Sequence, residues 1–489
     1  MYQFVKIIRS ITRGNAMIMP MLMLLGSLLG CGSYREATPV LSLAASVSAA
    51  ALPRRSPQHY APDVTQLDQT AVKITSSSSQ PLPDPVATTL PLADQGEAVI
   101  LNSAEQVFRS NLYCAASGEG LLTLTARGRD TDWAIAGRES AVMSIYLDGQ
   151  HNQEVILYRG ETLATYQVLL GAVHQGSHVL TIRYRPELSA SGASGVELQQ
   201  VSIAVCQASD SNYAALAHAP IIYARPDAFS TDTPLFLTVD DTAGLRYTAY
   251  LTNEDGGTLT ADLLALWGRA ADIDWVYAIT GQQATYQGFL HRILAFHGRY
   301  EDSHPILRIS TRNNLYSDRG ESPYKLRLPV FPQPLGSREE ALDRFPWVYR
   351  LTGVELAREG KTRQAGETGS WWRQIIGSQV GDLRNYLIVE FEHPASHTNL
   401  GIRLQLRNRS DRLSSLAGRT YRAIGRNGLV RTAIELPNGT AFQDIVKLEP
   451  ILADGRSFTA LPVIMTKAFA LDAEYRPVAL PAALGIPGP

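Results

Sequence analysis

Between residues 97 and 210 the chain is cut into short segments: AVILN, VFRSNLY, GLLTLTAR, VMSIYLD, QEVILY, TYQVLL, SHVLTIRY and VELQQVSIAV. Most of them alternate apolar and polar residues, the period of a strand with one buried face. Turn-forming residues separate them: Ser117-Gly118-Glu119-Gly120, Asp148-Gly149, Gln175-Gly176 and Ser194-Gly195. Eight such segments in about 110 residues, without a convincing helix, leave a β-sandwich of jelly-roll type as the expected fold.

The same texture continues from 211 to 475, in AHAPIIYARP, PLFLTV, RYTAYLTNEDGGT, HPILRIS, RNYLIVEFEH, LGIRLQLRN, DIVKLEP and LPVIMTKAFAL. This predicts a mainly β protein whose second domain is larger than the first, with few short helices, and which divides into two subdomains if a boundary falls near residue 350. ADLLALWG is one candidate helix. SREEALDRF is another, with Ser337 and Glu340 spaced as a capping box and Pro346 as its stop. VELAREG ends at Gly360, a plausible C-terminal cap. Residues 361–385 read as a surface loop and 476–489 as a C-terminal tail. Residues 32–96 hold eight prolines, a four-serine run at 76–79 and two aromatics, Tyr34 and Tyr60. Such a segment buries too little apolar surface to offset its ordering entropy, so 31–96 is expected to be a disordered linker.

Residues 1–30 read as an export signal. Lys6, Arg9 and Arg13 precede the apolar run AMIMPMLMLLGSLL, which is short for a membrane span and has no second apolar run after it. The run ends in Leu28-Leu29-Gly30-Cys31, which resembles the lipobox of bacterial lipoproteins. The resemblance implies cleavage before Cys31, a diacylglyceryl group and further acyl chains such as palmitate on that residue, and a lipid bilayer as first partner. Gly32, where an Asp would imply inner-membrane retention, implies the outer membrane, facing the periplasm or the surface. The net charge of −2 becomes −5 once the three leader cations are gone. With no basic block, the chain is not expected to bind nucleic acid. It has no phosphate loop and no strand-linked G-x-G-x-x-G, so no nucleotide is expected; G-x-S-x-G and H-E-x-x-H are absent too. Cys114 and Cys206 remain as an even pair in a chain read as exported, and a disulfide is the expectation.

Candidate chemistry gathers between 250 and 310. Asn253-Glu254-Asp255-Gly256-Gly257-Thr258 is an acidic Gly-rich turn, equally a plain hairpin turn. Asp272 and Asp274 are spaced i,i+2, which places both on one face of a strand. Asp255, Asp272 and Asp274 are the oxygen set that calcium would take, although the spacing is not that of an EF-hand. In FLHRILAFHGRYEDSHPILRIS a hairpin centred on Tyr300-Glu301 sets His297 opposite His304, with His291 on the face of His297. Such imidazoles suit zinc or acid–base work, or are simply structural. Asp272 with Asp274, or Glu390 with Glu392, also has the makings of a glycosidase pair. GRAADIDW (268–275) echoes GRDTDW (128–133), but the flanking contexts differ too much for a repeat.

Trp133, Tyr146, Tyr158, Tyr166 and Tyr184 supply the sandwich with aromatic faces. Trp133, Tyr146 and Tyr158 are the candidates for stacking on sugars; the alternative is that they pack the core. The segment from SIYLDGQHN to SHVLTIRY resembles carbohydrate-binding β-sandwich modules of secreted enzymes, in its Tyr-Leu-Asp-Gly hairpin and its Gly-Ser-His-Val-Leu-Thr-Ile strand. TNEDGGT, GRAADIDWVY and HPILRISTRNN are similar to segments of exported bacterial proteins. That likeness implies that the acidic turn and the HP…STRNN strand share one site or one core. The expected role is a lipid-anchored envelope protein that binds a glycan or an envelope partner. The alternatives are a polysaccharide hydrolase or lyase using Asp255, Asp272, Asp274, His297 and His304, and a purely structural lipoprotein.

Overall fold

The computed structural model describes residues 88–90, 98–227, 232–254, 256–363, 379–394, 398–407, 409–410 and 412–480. All of them fall in the compact unit His59–Pro489. Cys31 and the leader lie outside the described residues, as do most of the linker, Asp255 and residues 364–378.

The chain is mainly β. Its first strands are β1 (Thr88–Leu90), β2 (Val99–Leu101), β3 (Val107–Cys114), β4 (Gly118–Arg129), β5 (Val142–Leu147), β6 (Gln150–Ile156), β7 (Ala164–Val173), β8 (Gly176–Tyr184) and β9 (Gly195–Cys206). They form two facing sheets. One runs β1-β9-β4-β7 with β2 also on β9, the other β3-β8-β5-β6. The alternation in GLLTLTAR turns Leu122, Leu124 and Ala126 of β4 inward. There they meet Met143 and Ile145 of β5, Leu180 and Ile182 of β8, and Val201 and Ile203 of β9.

Eleven strands and two helices follow. They are α1 (Tyr213–Ala217), β10 (Ile221–Ala224), β11 (Pro234–Asp240), β12 (Leu245–Leu251), α2 (Thr260–Trp267), β13 (Asp272–Thr280), β14 (Gln283–Gln287), β15 (Ile293–Ala295), β16 (Tyr300–Glu301), β17 (His304–Ile309), β18 (Tyr316–Ser317), β19 (Tyr324–Leu326) and β20 (Val330–Pro332). One sheet runs β15-β14-β13-β12-β11-β20 and another β16-β17-β10-β19, with β18 on β17. The sandwich locks onto them through side chains that act as surrogate backbone. Glu154 of β6 accepts from the Lys325 N–H (3.1 Å) and Gln153 accepts from the Arg327 N–H (3.0 Å).

The last elements are α3 (Glu340–Arg344), α4 (Trp347–Arg358), β21 (Tyr386–His393), β22 (Leu400–Leu406), β23 (Arg412–Ser414), β24 (Gly428–Glu435), β25 (Ile445–Leu452), β26 (Ile464–Leu471) and β27 (Pro477–Ala479). Their sheets are β24-β21-β26-β27 and β23-β22-β25. Leu342, Val348, Leu351 and Leu356 of α3 and α4 pack on Phe236, Tyr250, Ile273 and Phe469, and so join the two halves of the region. The expected capping box does not form. Ser337 instead donates to Glu390 Oε2 (2.5 Å), and α3 has no side-chain cap.

The expected disulfide is corrected: Cys114 and Cys206 are both free and buried. Cys114 points into the core between the sandwich sheets. Cys206 lies in a different core, on the outer side of its sheet against the following strands. Val201, Ile203 and Val205 face the sandwich core, so the period-2 rule turns the next residue away from it. Burial pushes the Cys206 thiol up to about 11, with nearby carboxylates adding to the effect. Alkylation of the denatured, unreduced chain is therefore expected to label both cysteines, each as an intact thiol. A crosslinked Cys114–Cys206 peptide in a non-reducing digest would contradict this.

Candidate functional site

β13 carries the centre of the site. Asp272 and Asp274 share one face of this strand, as their spacing requires; β12 pairs antiparallel with both, and β14 joins β13 only from Tyr277 onward. The turn that leaves β12 brings Glu254 to the same place. Glu254 Oε1 accepts from the Thr258 N–H (2.9 Å) and from the Asn313 amide nitrogen (2.5 Å). Gly257 permits this closure: its φ is +86°, and a Cβ there would collide with the Asn313 side-chain amide and Glu254 Oε1. Asn314 Nδ2 donates to Asp272 Oδ2 (2.9 Å) and to the Asn253 carbonyl (3.3 Å). The acidic turn, the DID strand and the RNN segment therefore converge.

The rim comes from the loop between β14 and β15. His291 Nδ1 lies 3.8 Å from Asp274 Oδ2 and 3.0 Å from Gln287 Nε2. Arg269 Nη1 stands 3.8 Å from Asp272 Oδ1. Of the three carboxyls Asp274 is the one that reaches the surface, with 15% of its side chain exposed; Glu254 and Asp272 are buried.

Burial dominates the electrostatics. It pushes Glu254 up to about 9, with Asp272 adding to the rise, and Asp272 up to about 6, with Asp274 adding. Asp274 is raised by burial against the pull of Arg338 and Arg269. His291 is held below its ordinary value, chiefly by its partial burial and also by Arg338. Three buried oxygens in this region have no protein hydrogen-bond partner: Asn253 Oδ1, Asn314 Oδ1 and Tyr316 Oη. The surroundings of Asp272 are thus rich in oxygens that can accept. Among the described residues no group of three or more His, Cys, Asp or Glu side chains is arranged to hold a metal ion.

The other expected site residues go elsewhere. The hairpin does not turn at Tyr300-Glu301. Glu301 pairs with His304 and Tyr300 with Pro305, so Asp302 and Ser303 make the turn. Asp302 takes φ 54°, a left-handed conformation that Asp tolerates better than most residues. His297 is consequently not opposite His304; it is exposed, beside Asp318. His304 is buried between the Ala219 carbonyl (2.8 Å) and Glu119 Oε2 (3.2 Å), a link between the sandwich and β17. Glu390 is also structural, bound to Arg431.

The sandwich aromatics do not form a platform. Trp133 is buried with Arg358 over its ring. Tyr158 stacks on Trp347 with ring centroids 4.9 Å apart, and burial pushes its hydroxyl up to about 12. Tyr146 is half-buried between Arg183 and His151. The Asp130–Trp133 echo lies in a loop where Asp130 has φ 56°, whereas Asp272 and Asp274 lie on a strand. Sequence reasoning did not select Glu254, Asn313, Asn314, Tyr316 or Gln287 as site residues. Their signal lay in the NEDGGT and STRNN segments taken together.

No protein-family model and no curated protein matches the chain. Part of it is similar to solved structures. One is a family 35 carbohydrate binding module from an environmental isolate, 8% identical, covering 22% of this chain and 74% of that one at a TM-score of 0.17. A family 35 carbohydrate binding module from Clostridium thermocellum is 15% identical and covers 25% of this chain and 94% of that one at 0.18. The CBM36-1 domain of a multidomain xylanase from the hindgut metagenome of Trinervitermes trinervoides is 13% identical and covers 22% and 77% at 0.16.

Proposed function

We propose that the chain is an envelope lipoprotein, anchored through Cys31 in the outer membrane, and that it binds a hydroxyl-rich ligand of glycan type in the recess around Asp274. The observation that supports this reading is the surplus of acceptors. The Asp272 and Asp274 carboxyls stand together beside Glu254, and Asn253, Asn314 and Tyr316 add buried oxygens without protein partners. A buried polar group left unsatisfied costs about 1–3 kcal/mol, and sugar hydroxyls are donors of the kind such oxygens need. The glycan reading therefore rests on β13 and not on the sandwich, whose candidate rings are packed away.

Binding is favoured over hydrolysis by the exposure of the carboxyls. Residues two apart on a strand lie about 7 Å from each other, a separation that suits paired acid–base work. Such a pair must reach one substrate bond, yet Asp272 is buried and held by Asn314, and only Asp274 opens outward.

A glycan array probed with the full chain is the test, followed by calorimetry on the best binder. Asp274→Asn removes the charge that the recess presents and is expected to weaken binding about tenfold or more, the weight of one hydrogen bond to a charged group. Unchanged affinity in Asp274→Asn, or an array with no binder, would count against the site. Release of reducing ends from the bound glycan would shift the reading to a hydrolase.

A further inference from the structure

We infer that the ligand of this recess is a glycolipid, its hydroxyl-bearing head over Asp274 and its acyl chains against the loop between β14 and β15. This rests on the glycan reading and adds the chemistry of the rest of the ligand.

The loop combines a polar contact with apolar surface. His291 meets Asp274 and Gln287. Around it four large apolar side chains are exposed within six residues: Phe289 at 64% exposure, Leu290 at 47%, Ile293 at 70% and Leu294 at 37%. Ile293 and Leu294 are successive residues of β15 and leave it on opposite faces, so Phe289 and Ile293, the most exposed, carry the argument. Single exposed apolar residues are ordinary, but several within one short loop beside a polar site mark a contact surface. The loop is held in this shape at a cost. Leu290 (φ 57°) and His291 (φ 56°) are consecutive left-handed residues, and neither is a glycine. The Gly288 N–H donates to the Arg292 carbonyl (2.9 Å) and closes the loop, and Leu294 folds over Gly288 so closely that a Cβ there would collide with it. Among the described residues β15 is the last strand of its sheet, with no strand paired on its outer edge.

One occupant accounts for both features. A soluble sugar would fill the recess and leave the apolar rim in water. A bare bilayer would cover the rim but has no use for buried acceptors, and its anionic headgroups would be repelled by Asp274. A glycolipid supplies donors to the recess and methylenes to the rim, in the membrane where the proposed anchor would hold the protein.

The test uses the full chain carrying Cys31→Ser, so that no acyl chain of its own contributes, in flotation with phosphatidylcholine vesicles. The vesicles carry digalactosyldiacylglycerol, or monogalactosyldiacylglycerol, both uncharged, or no glycolipid. Flotation with at least one glycolipid and not with plain vesicles is expected. Adding Phe289→Ser and Ile293→Ser, both on exposed positions, is expected to lower it about tenfold or more. Affinity for the deacylated headgroup should stay within about twofold. Equal flotation with plain vesicles would make the loop a general membrane-docking element and overturn the inference. So would undiminished flotation of the double-serine chain, or no flotation with either glycolipid. Headgroup binding that survives Asp274→Asn would instead sink the underlying site assignment.

Discussion

Replacing Arg431 by leucine is expected to destabilise the protein by about 3–5 kcal/mol, the range for removing one partner of a buried ion pair. Arg431 lies on β24 and is fully buried. Its guanidinium grips Asp343 with two bonds (3.0 and 2.6 Å), donates to Glu390 Oε2 (2.8 Å) and to the Glu339 carbonyl (3.2 Å), and sits over the Phe469 ring. Leucine would fill much of the volume but leave two carboxylates in the interior facing mainly Lys467, 3.2 Å from Asp343. Burial alone would raise Asp343, but Arg431 outweighs it and holds the carboxyl below its ordinary value. A lowered folded pKa means stability that is present above the unfolded value and is lost as pH falls through the folded one. The gap between variant and parent should therefore be widest near neutral pH and narrow in acid. Urea denaturation reads this directly, as a lower midpoint at unchanged slope. Mutating Asp343 and Glu390 to leucine as well should recover much of the loss, because an apolar replacement of a whole buried network is often tolerated. A midpoint for Arg431→Leu equal to the parent's would show that the network contributes nothing.

Such a network marks the limit of what the sequence discloses. Alternation exposed the strands because each reports its own burial locally: GLLTLTAR alternates in the sequence and alternates again in β4. The same rule could have dismissed the disulfide, since Val201, Ile203 and Val205 define one face and leave Cys206 on the other. The i,i+2 spacing correctly put Asp272 and Asp274 side by side, for the same local reason. What was not legible depended on long-range closure. Nothing local to Glu254 says that it meets Asn313, about 60 residues on, and only the joint likeness of the two segments hinted at it. The histidines failed on register. Moving the turn from 300–301 to 302–303 replaced His297 with Glu301 opposite His304, and one strand's partners changed with it. Trp133, for which sugar stacking and core packing were both open, is covered by Arg358 of α4, more than 200 residues away.

Glu355, also on α4, is fully buried. Burial pushes its carboxyl up to about 8, and Glu359 adds to the rise; Arg358, 3.6 Å away, opposes it without prevailing. A folded pKa above the unfolded one contributes stability that is complete below the unfolded value and is lost as pH rises through the folded value. The parent should therefore lose stability between about pH 4.5 and pH 8, on the order of a few kcal/mol if Glu355 acts alone. Glu355→Gln keeps the shape and cannot ionise. It should match the parent in acid and exceed it increasingly up to about pH 8, levelling off above, a divergence that thermal melts at several pH values would register. Parallel curves would mean that the carboxyl is not held neutral. The effect should extend to the recess. Asn253 donates to Glu359 Oε2 (2.9 Å) while its carbonyl accepts from Asn314, and Lys361 Nζ reaches the Glu254 carbonyl (3.4 Å). Ionising Glu355 adds a second negative charge beside Glu359 and loads these contacts, so ligand affinity should fall over the same alkaline range in the parent. Glu254 itself, raised to about 9, stays protonated through most of that range. A fall that persists unchanged in Glu355→Gln would assign the titration to Glu254 instead, and affinity that is flat with pH would uncouple α4 from the site.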